Sequence, residues 1–374
     1  MDEQKVLDVF SISKSQRILV WICEAVITFA LAFILMHAAV TPLYSLIGGY
    51  STLQEESDAS IMHRNKLLLE NKLIYFENEE SQIGDISYGL EYTYGLFIGD
   101  FIKGTEEHNV FKVFYENFDK SEETYYQMFK TYDEELHFFN FDDTSKTVSL
   151  KEDYKTKFNA VVDKADEISA DAKKLYDKYC NKVFLTFYSH ILRQMEKQNI
   201  ILSGVAYNNL QVKINKATKF YDRMMIIGAY ISYVIGWAIT SVLIPLVNRN
   251  KRTLSMIMMR IQRVTLNEFH ILKWPRLLLV SFYQLITYLF MTFLVPMPLI
   301  SFAYIFSLPL LIYPSLISAI VCIFSFVTIL VNGANQSTSD LFSGTFFVTN
   351  DTLDDIYRAK GYKIWWKIYA KTIY

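Results

Sequence analysis

The chain of 374 residues is 52% hydrophobic and 16% aromatic, yet 20% charged, with a formal net charge of −2. So much apolar and aromatic bulk excludes a wholly disordered chain. Three cysteines without metal-ligand spacing exclude a disulfide scaffold or a zinc module, and the near-neutral charge argues against nucleic-acid binding.

In chain order, Lys14 and Arg17 precede an apolar run over residues 18–43. The run is longer than a signal-peptide core, Glu24 interrupts it, and Ala38-Ala39 is a poor cleavage site. It therefore reads as a retained signal anchor. A bilayer core about 30 Å thick needs about 20 apolar residues in a helix. Residues 18–43, 224–247, 277–295 and 310–331 meet that length, which predicts four spans. The stretch 296–309 stays apolar but carries Pro296, Pro298 and Pro309, and is either an interfacial turn or a re-entrant piece.

Basic residues near span ends set orientation. The loop after the second run holds Arg249, Lys251, Arg252, Arg260, Arg263, Lys273 and Arg276, with Glu268 its one acid. The C-terminal tail holds Arg358, Lys360, Lys363, Lys367 and Lys371. Both are expected to be cytoplasmic, and four spans then put the N-terminus inside as well. Residues 44–222 carry 30 Asp and Glu against 21 Lys and Arg, a net of −9, and the rest of the chain +7. This asymmetry places 44–222 outside.

That outside region reads as helical. Tyr154, Phe158, Val161, Ala165, Ile168, Ala172, Leu175 and Tyr179 recur at alternating steps of four and three, the spacing of a helix packed along one seam. Phe111, Phe114, Phe118, Tyr125, Phe129 and Tyr132 form a second helical pattern. Leu210, Ile214, Ala217 and Tyr221 form a third, which leads without a breaker into the second span. A stalk and a bundle both fit. Gly84, Gly89, Gly95, Gly99 and Gly104 stand among Tyr and Phe, and are read as close helix packing in preference to a ligand-facing loop. His63, His108, His137 and His190 are scattered, and neither HExxH nor GxSxG occurs, so no enzyme, metal or cofactor is expected.

Glu24 lies about two turns into the first span, where a carboxylate costs a few kcal/mol and raises the suspicion of a role. Arg17, seven residues earlier, is on the same helix face but too far for direct pairing. Asp340 follows the fourth span and should share a membrane face with Arg17, as an edge ion pair or a helix cap. Residues 253–272 read as an amphipathic surface helix. In the tail, Trp365 and Trp366 among Lys360, Lys363, Lys367 and Lys371 read as a lipid-surface helix, with a protein-docking site as the second reading.

Arg17, Glu24 seven residues on, and Asp340 with Gly344 and Thr345 together resemble the RDD family of bacterial membrane proteins, named for an Arg and two Asp in its membrane helices. Glu24 stands where that family has Asp. Thr253 and Leu254 resemble its turn after the second helix, although Lys251, Ser255 and Met256 replace two Gly and a Lys. Arg276 resembles the Arg that opens its next span. The resemblance covers the spans and their connections. It implies membrane anchoring, with transport or sodium–proton exchange suggested for members.

The expectation is an all-α polytopic protein: residues 1–43 as N-terminus and first span, 44–222 as an extracellular helical domain, 223–348 as RDD-like spans with the basic loop, and 349–374 as the tail. Abundant Lys, Ile, Tyr, Phe and Asn are a habit of AT-rich bacterial genomes, so the membrane expected for the four runs is a bacterial plasma membrane. Expected partners are the lipid bilayer and an extracellular or membrane protein, with a homo-oligomer left open. Two functions remain: a cell-surface assembly component whose outside domain binds a partner, or an exchanger using Glu24.

Overall fold

The computed structural model describes residues 11–121, 123–162, 170–266, 269–297 and 299–359. It is predominantly helical, with four helices long and apolar enough to cross a membrane: Lys14–Gly48, Tyr207–Val247, Trp274–Phe293 and Pro309–Val331. The chain divides into two compact units. One is built from residues up to Gly49 and from Tyr221 onward; the other is Tyr50–Phe220.

In the first unit the four long helices turn broad apolar faces outward. Ile320, Ile323, Phe324 and Val327 on the fourth are exposed, as are Leu19, Ile22 and Val26 on the first. Their buried sides carry small polar groups, the pattern of helices that associate through close packing and hydrogen bonds rather than through burial of apolar surface. Thr28 and Thr240 hydroxyls meet at 2.9 Å. Ser281 donates to the Ser241 carbonyl at 2.6 Å, Trp237 Nε1 to the Ser281 carbonyl at 2.7 Å, and Ser318 to the Ile286 carbonyl at 2.7 Å. The first two long helices approach closely at Gly236. A Cβ there would lie 3.2 Å from the Ala32 nitrogen and 3.3 Å from the Thr28 oxygen, both backbone atoms with little freedom to yield. Gly236→Ala is expected to lower stability by about 1–3 kcal/mol, read as a lower melting temperature of the detergent-solubilised protein. An unchanged melt would show that the two backbones have room to part.

Each of these two helices contains a turn of π-helix, Met36–Val40 in the first and Ala238–Leu243 in the second. The apolar stretch 296–309 contains one short helix, Phe302–Ile305. Side chains of the first two long helices tie it down: His37 Nε2 bonds the Met297 carbonyl at 2.8 Å, Tyr221 donates to the Leu299 carbonyl at 3.2 Å, and Asp222 accepts from the Tyr304 hydroxyl. Irregular apolar backbone is thereby given polar partners.

Residues 253–272 do not form the amphipathic helix that their periodicity predicts. A single turn and a half, Leu254–Met258, is followed by strand β5, Ile261–Thr265, which pairs antiparallel with β6, Thr345–Thr349. The register sets Arg263 opposite Phe347. Ile261, Val264 and Thr265 are β-branched and favour a pleated, buried setting. What decides between strand and helix is the partner strand 80 or more positions away.

The second unit, Tyr50–Phe220, has a core dense in rings. Phe97, Phe111, Phe114, Phe129, Phe158, Phe184 and Phe187 are fully buried. The second aromatic pattern belongs to two helices, Val110–Asn117 and Tyr125–Asp133. Thr124 caps the latter reciprocally with Gln127. The seam pattern from Tyr154 falls on the helices Glu152–Val162 and Ala170–Tyr179; Ala165 and Ile168 lie outside the described residues. Two short hairpins complete the unit: β1, Phe139–Asp142, with β2, Thr147–Leu150, and β3, Ile201–Leu202, with β4, Val205–Ala206. An aspartate prepares entry to β1. Asp133 is buried and accepts from the backbone N–H groups of Phe138 and Phe139 at 3.1 and 3.0 Å.

Candidate functional site

At one end of the four-helix unit the start of the first long helix meets the segment after the fourth. Arg17 lies one turn inside a helix capped by Ser13 and Gln16. Asp340 is the third residue of the short helix Thr338–Ser343. There its carboxylate caps back onto the Ser337 N–H at 3.0 Å, and Gly344 ends the helix at φ +63°. The Asp-x-x-x-Gly-Thr string therefore has a local physical reading. The Asp starts a short helix, and the Gly supplies the left-handed turn that other residues resist. Thr345 then begins β6, with its hydroxyl 3.5 Å from the same carboxylate.

Arg17 Nη2 donates to Asp340 Oδ2 at 2.6 Å and to the Ser337 hydroxyl at 2.9 Å, and Arg17 Nε reaches Oδ2 at 3.2 Å. Arg17 and Asp340 are 1% and 0% exposed, so the pair is interior rather than at a solvated edge. A second cation joins it: Arg263 Nε lies 3.3 Å from Asp340 Oδ1. Both guanidinium groups sit over the Phe347 ring, at 4.2 Å for Arg17 and 4.6 Å for Arg263, where the ring's negative face attracts them. Burial by itself would push the Asp340 carboxyl up. The charges of Arg17 and Arg263 and the Ser337 hydrogen bonds outweigh burial and hold it below the usual carboxylate range. Among the described residues, Arg17 Nη1 and Arg263 Nε and Nη2 have no hydrogen-bond acceptor, so the guanidinium donors outnumber the acceptors that meet them.

Glu24 is also buried and is held separately. It accepts from the Thr253 hydroxyl at 2.9 Å and from Gln284 Nε2 at 2.7 Å. Thr253 caps the short helix Leu254–Met258, so this carboxylate ties the first long helix to the segment after the second and to the third. Leu254 is exposed on that short helix, and Arg276 is exposed in the first turn of the third long helix; neither joins the cluster. Lys360, Lys363, Trp365, Trp366, Lys367 and Lys371 lie outside the described residues.

Sequence reasoning missed Arg263, Phe347 and Gln284 as site residues. Gln284 carried a signal, as an amide inside an apolar run. In the sequence Arg263 is one of several loop bases, since nothing local distinguishes it from Arg260. Replacing Glu24 tests its ties. In Glu24→Gln the amide oxygen still faces Gln284, and the Thr253 hydroxyl can turn to accept, so a change below about 1 kcal/mol is expected. Glu24→Ala strands two buried donors and should cost about 2–4 kcal/mol. Equal thermal shifts for the two variants would refute this account.

The chain matches no family model, no curated protein and no solved structure among those compared.

Proposed function

We propose that this is a four-span, RDD-like protein of a bacterial plasma membrane that anchors an extracellular partner-binding domain, the compact unit Tyr50–Phe220. The carrying observation is that this unit has its own ring-filled core and is inserted between the first two apolar helices. The charge distribution, acidic over 44–222 and basic after the second and fourth helices, supports placing the unit outside with both termini inside. The Arg17–Asp340–Arg263 cluster then acts as an inner-side clasp that closes the bundle.

Two experiments test this. In intact cells, Glu134→Cys should react with a membrane-impermeant maleimide and Arg260→Cys should not; the reverse pattern overturns the orientation. With a membrane-impermeant amine crosslinker, the full-length protein should form a discrete adduct through lysines of the Tyr50–Phe220 unit. No adduct, or adducts confined to other lysines, rejects partner binding.

The intramembrane carboxylate favours a second reading as a cation–proton exchanger. Glu24 is the buried acid that such exchange would use. Its two donors come from separate elements, which suits a fixed tie better than a carrier. Flux in proteoliposomes that disappears in Glu24→Gln would establish the exchanger; absent or Glu24-independent flux removes it.

A further inference from the structure

No described atom would clash with a Cβ at Gly95 or Gly99, so neither position demands glycine rather than alanine. Both lie in the helix Ile86–Lys103 with no positive φ. Among the described residues, a Cβ on Gly95 would meet the Tyr176 hydroxyl, at 3.7 Å, and one on Gly99 Val162 Cγ1, at 3.7 Å; both are ordinary contacts. Gly89 in the same helix is different, since a Cβ there would fall 2.6 Å from Ile74 Cδ1 and 2.7 Å from the Phe76 ring. Close packing bars any side chain at Gly89, whereas at Gly95 and Gly99 it leaves room for a methyl, with the helix Glu152–Val162 packed alongside. What Gly95 and Gly99 share is a groove of about 650 Å³ that both line.

The other walls of that groove have a consistent chemistry. Tyr88, Tyr92 and Tyr176 supply rings, and Tyr88 is 54% exposed. Glu77, Glu91 and Asp177 supply carboxylates against Lys103 and Lys173. Asp100 and His108 also line it but are engaged with each other, His108 Nδ1 lying 3.2 Å from both Asp100 oxygens. The negative field reaches neighbouring groups. The Cys180 thiol is pushed up to about 12, by burial first and then by Asp177 and Glu91. The Tyr176 hydroxyl is raised by burial, Cys180 and the same two acids. Exposed rings beside carboxylates attract a cation both through the ring face and through charge.

We propose that this groove docks a basic, extended segment of a protein partner, with a Lys or Arg side chain seated on Tyr88, Tyr92 and Tyr176 and facing Glu77, Glu91 and Asp177. Gly95, which is partly exposed, keeps that part of the groove wall free of a side chain. The proposal deepens the partner-binding reading above and rests on it for biological meaning, while its test needs no natural partner.

The full-length protein in nanodiscs of uncharged lipid is titrated with a fluorescent hexa-arginine peptide, and with hexa-glutamate as control. Binding of the first peptide alone is expected. The Glu91→Gln/Asp177→Asn pair should weaken it at least fivefold, and Gly95→Leu should do the same by filling the groove. Gly95→Ala and the charge-matched pair Glu134→Gln/Glu135→Gln, outside the groove, should change it less than twofold. Circular dichroism and melting verify the fold of Gly95→Leu, and the Glu91/Asp177 pair decides the matter if that variant misfolds. Absence of hexa-arginine binding, equal losses in the two charge-matched pairs, or a folded Gly95→Leu that binds normally would each overturn the proposal. The crosslinking experiment fails separately: an adduct with no groove dependence rejects the groove alone, and a groove that binds peptide without any adduct rejects the cell-surface role alone.

Discussion

Asp340→Ala is expected to destabilise the four-helix unit by about 3–5 kcal/mol, the cost of leaving buried cations without their counter-charge. Two guanidinium groups, 1% and 3% exposed, converge on this one carboxylate. Its removal strands both and also removes the cap on Ser337. The comparison that isolates charge from packing is the triple variant Arg17→Met/Arg263→Met/Asp340→Leu, which replaces the whole cluster with apolar groups of similar volume. Such replacements are often neutral or stabilising, so the triple variant should melt well above Asp340→Ala. A triple variant as unstable as the single one would mean that the cluster's shape, rather than its charge pairing, holds the segment.

The same carboxylate sets a pH dependence with a defined sign. Its native value lies below the ordinary one, so the stabilisation is fully present above the unfolded-state value of about 3.9 and is lost as pH falls through the lower native value. Melting temperature measured from pH 7 down to pH 3 should therefore drop at the acid end, and drop less in the triple variant. A wild type and a triple variant with identical acid profiles would detach this effect from Asp340.

The second large effect is expected in the other unit. Phe129 is completely buried and packs against Phe139 at 4.9 Å, Tyr125 at 5.5 Å and Phe97 at 5.9 Å between ring centroids. Phe129→Ala removes a full ring from a site whose neighbours belong to several elements and cannot all collapse inward, at a cost of about 3–5 kcal/mol. Phe129→Leu keeps most of the volume and should cost less than half of that. Hydrogen exchange localises the effect. The helices Val110–Asn117 and Tyr125–Asp133 and the hairpin β1–β2 should lose protection, since all three meet around this ring. Protection that stays unchanged there, with a lowered melt elsewhere, would show that the ring is not central to this core.

Much of this architecture was legible because it follows from local patterns. A span requires about 20 apolar residues, and the four runs found by that length correspond to the four long apolar helices. The insertion between the first two was legible as a change from apolar runs to charged, aromatic-striped sequence, and it forms a separate compact unit. Arg17 and Asp340 stood out because charges beside apolar runs are costly and hence few.

The sequence by itself thus determined the number of long apolar helices, the insertion and two members of the charge cluster, since each depends on composition or on a periodicity a few residues long. Only the tertiary structure decided that residues 261–265 form a strand, that Arg263 and Phe347 complete the cluster, and that Glu24 is bound by Thr253 and Gln284. Those outcomes depend on partners more than 70 positions apart, and strand formation is governed by the pairing surface more than by local preference. The glycines illustrate the same division. Their spacing announced a special helix face, but the distances from a notional Cβ were needed to separate Gly89, which packs against its neighbours, from Gly95 and Gly99, which line a groove.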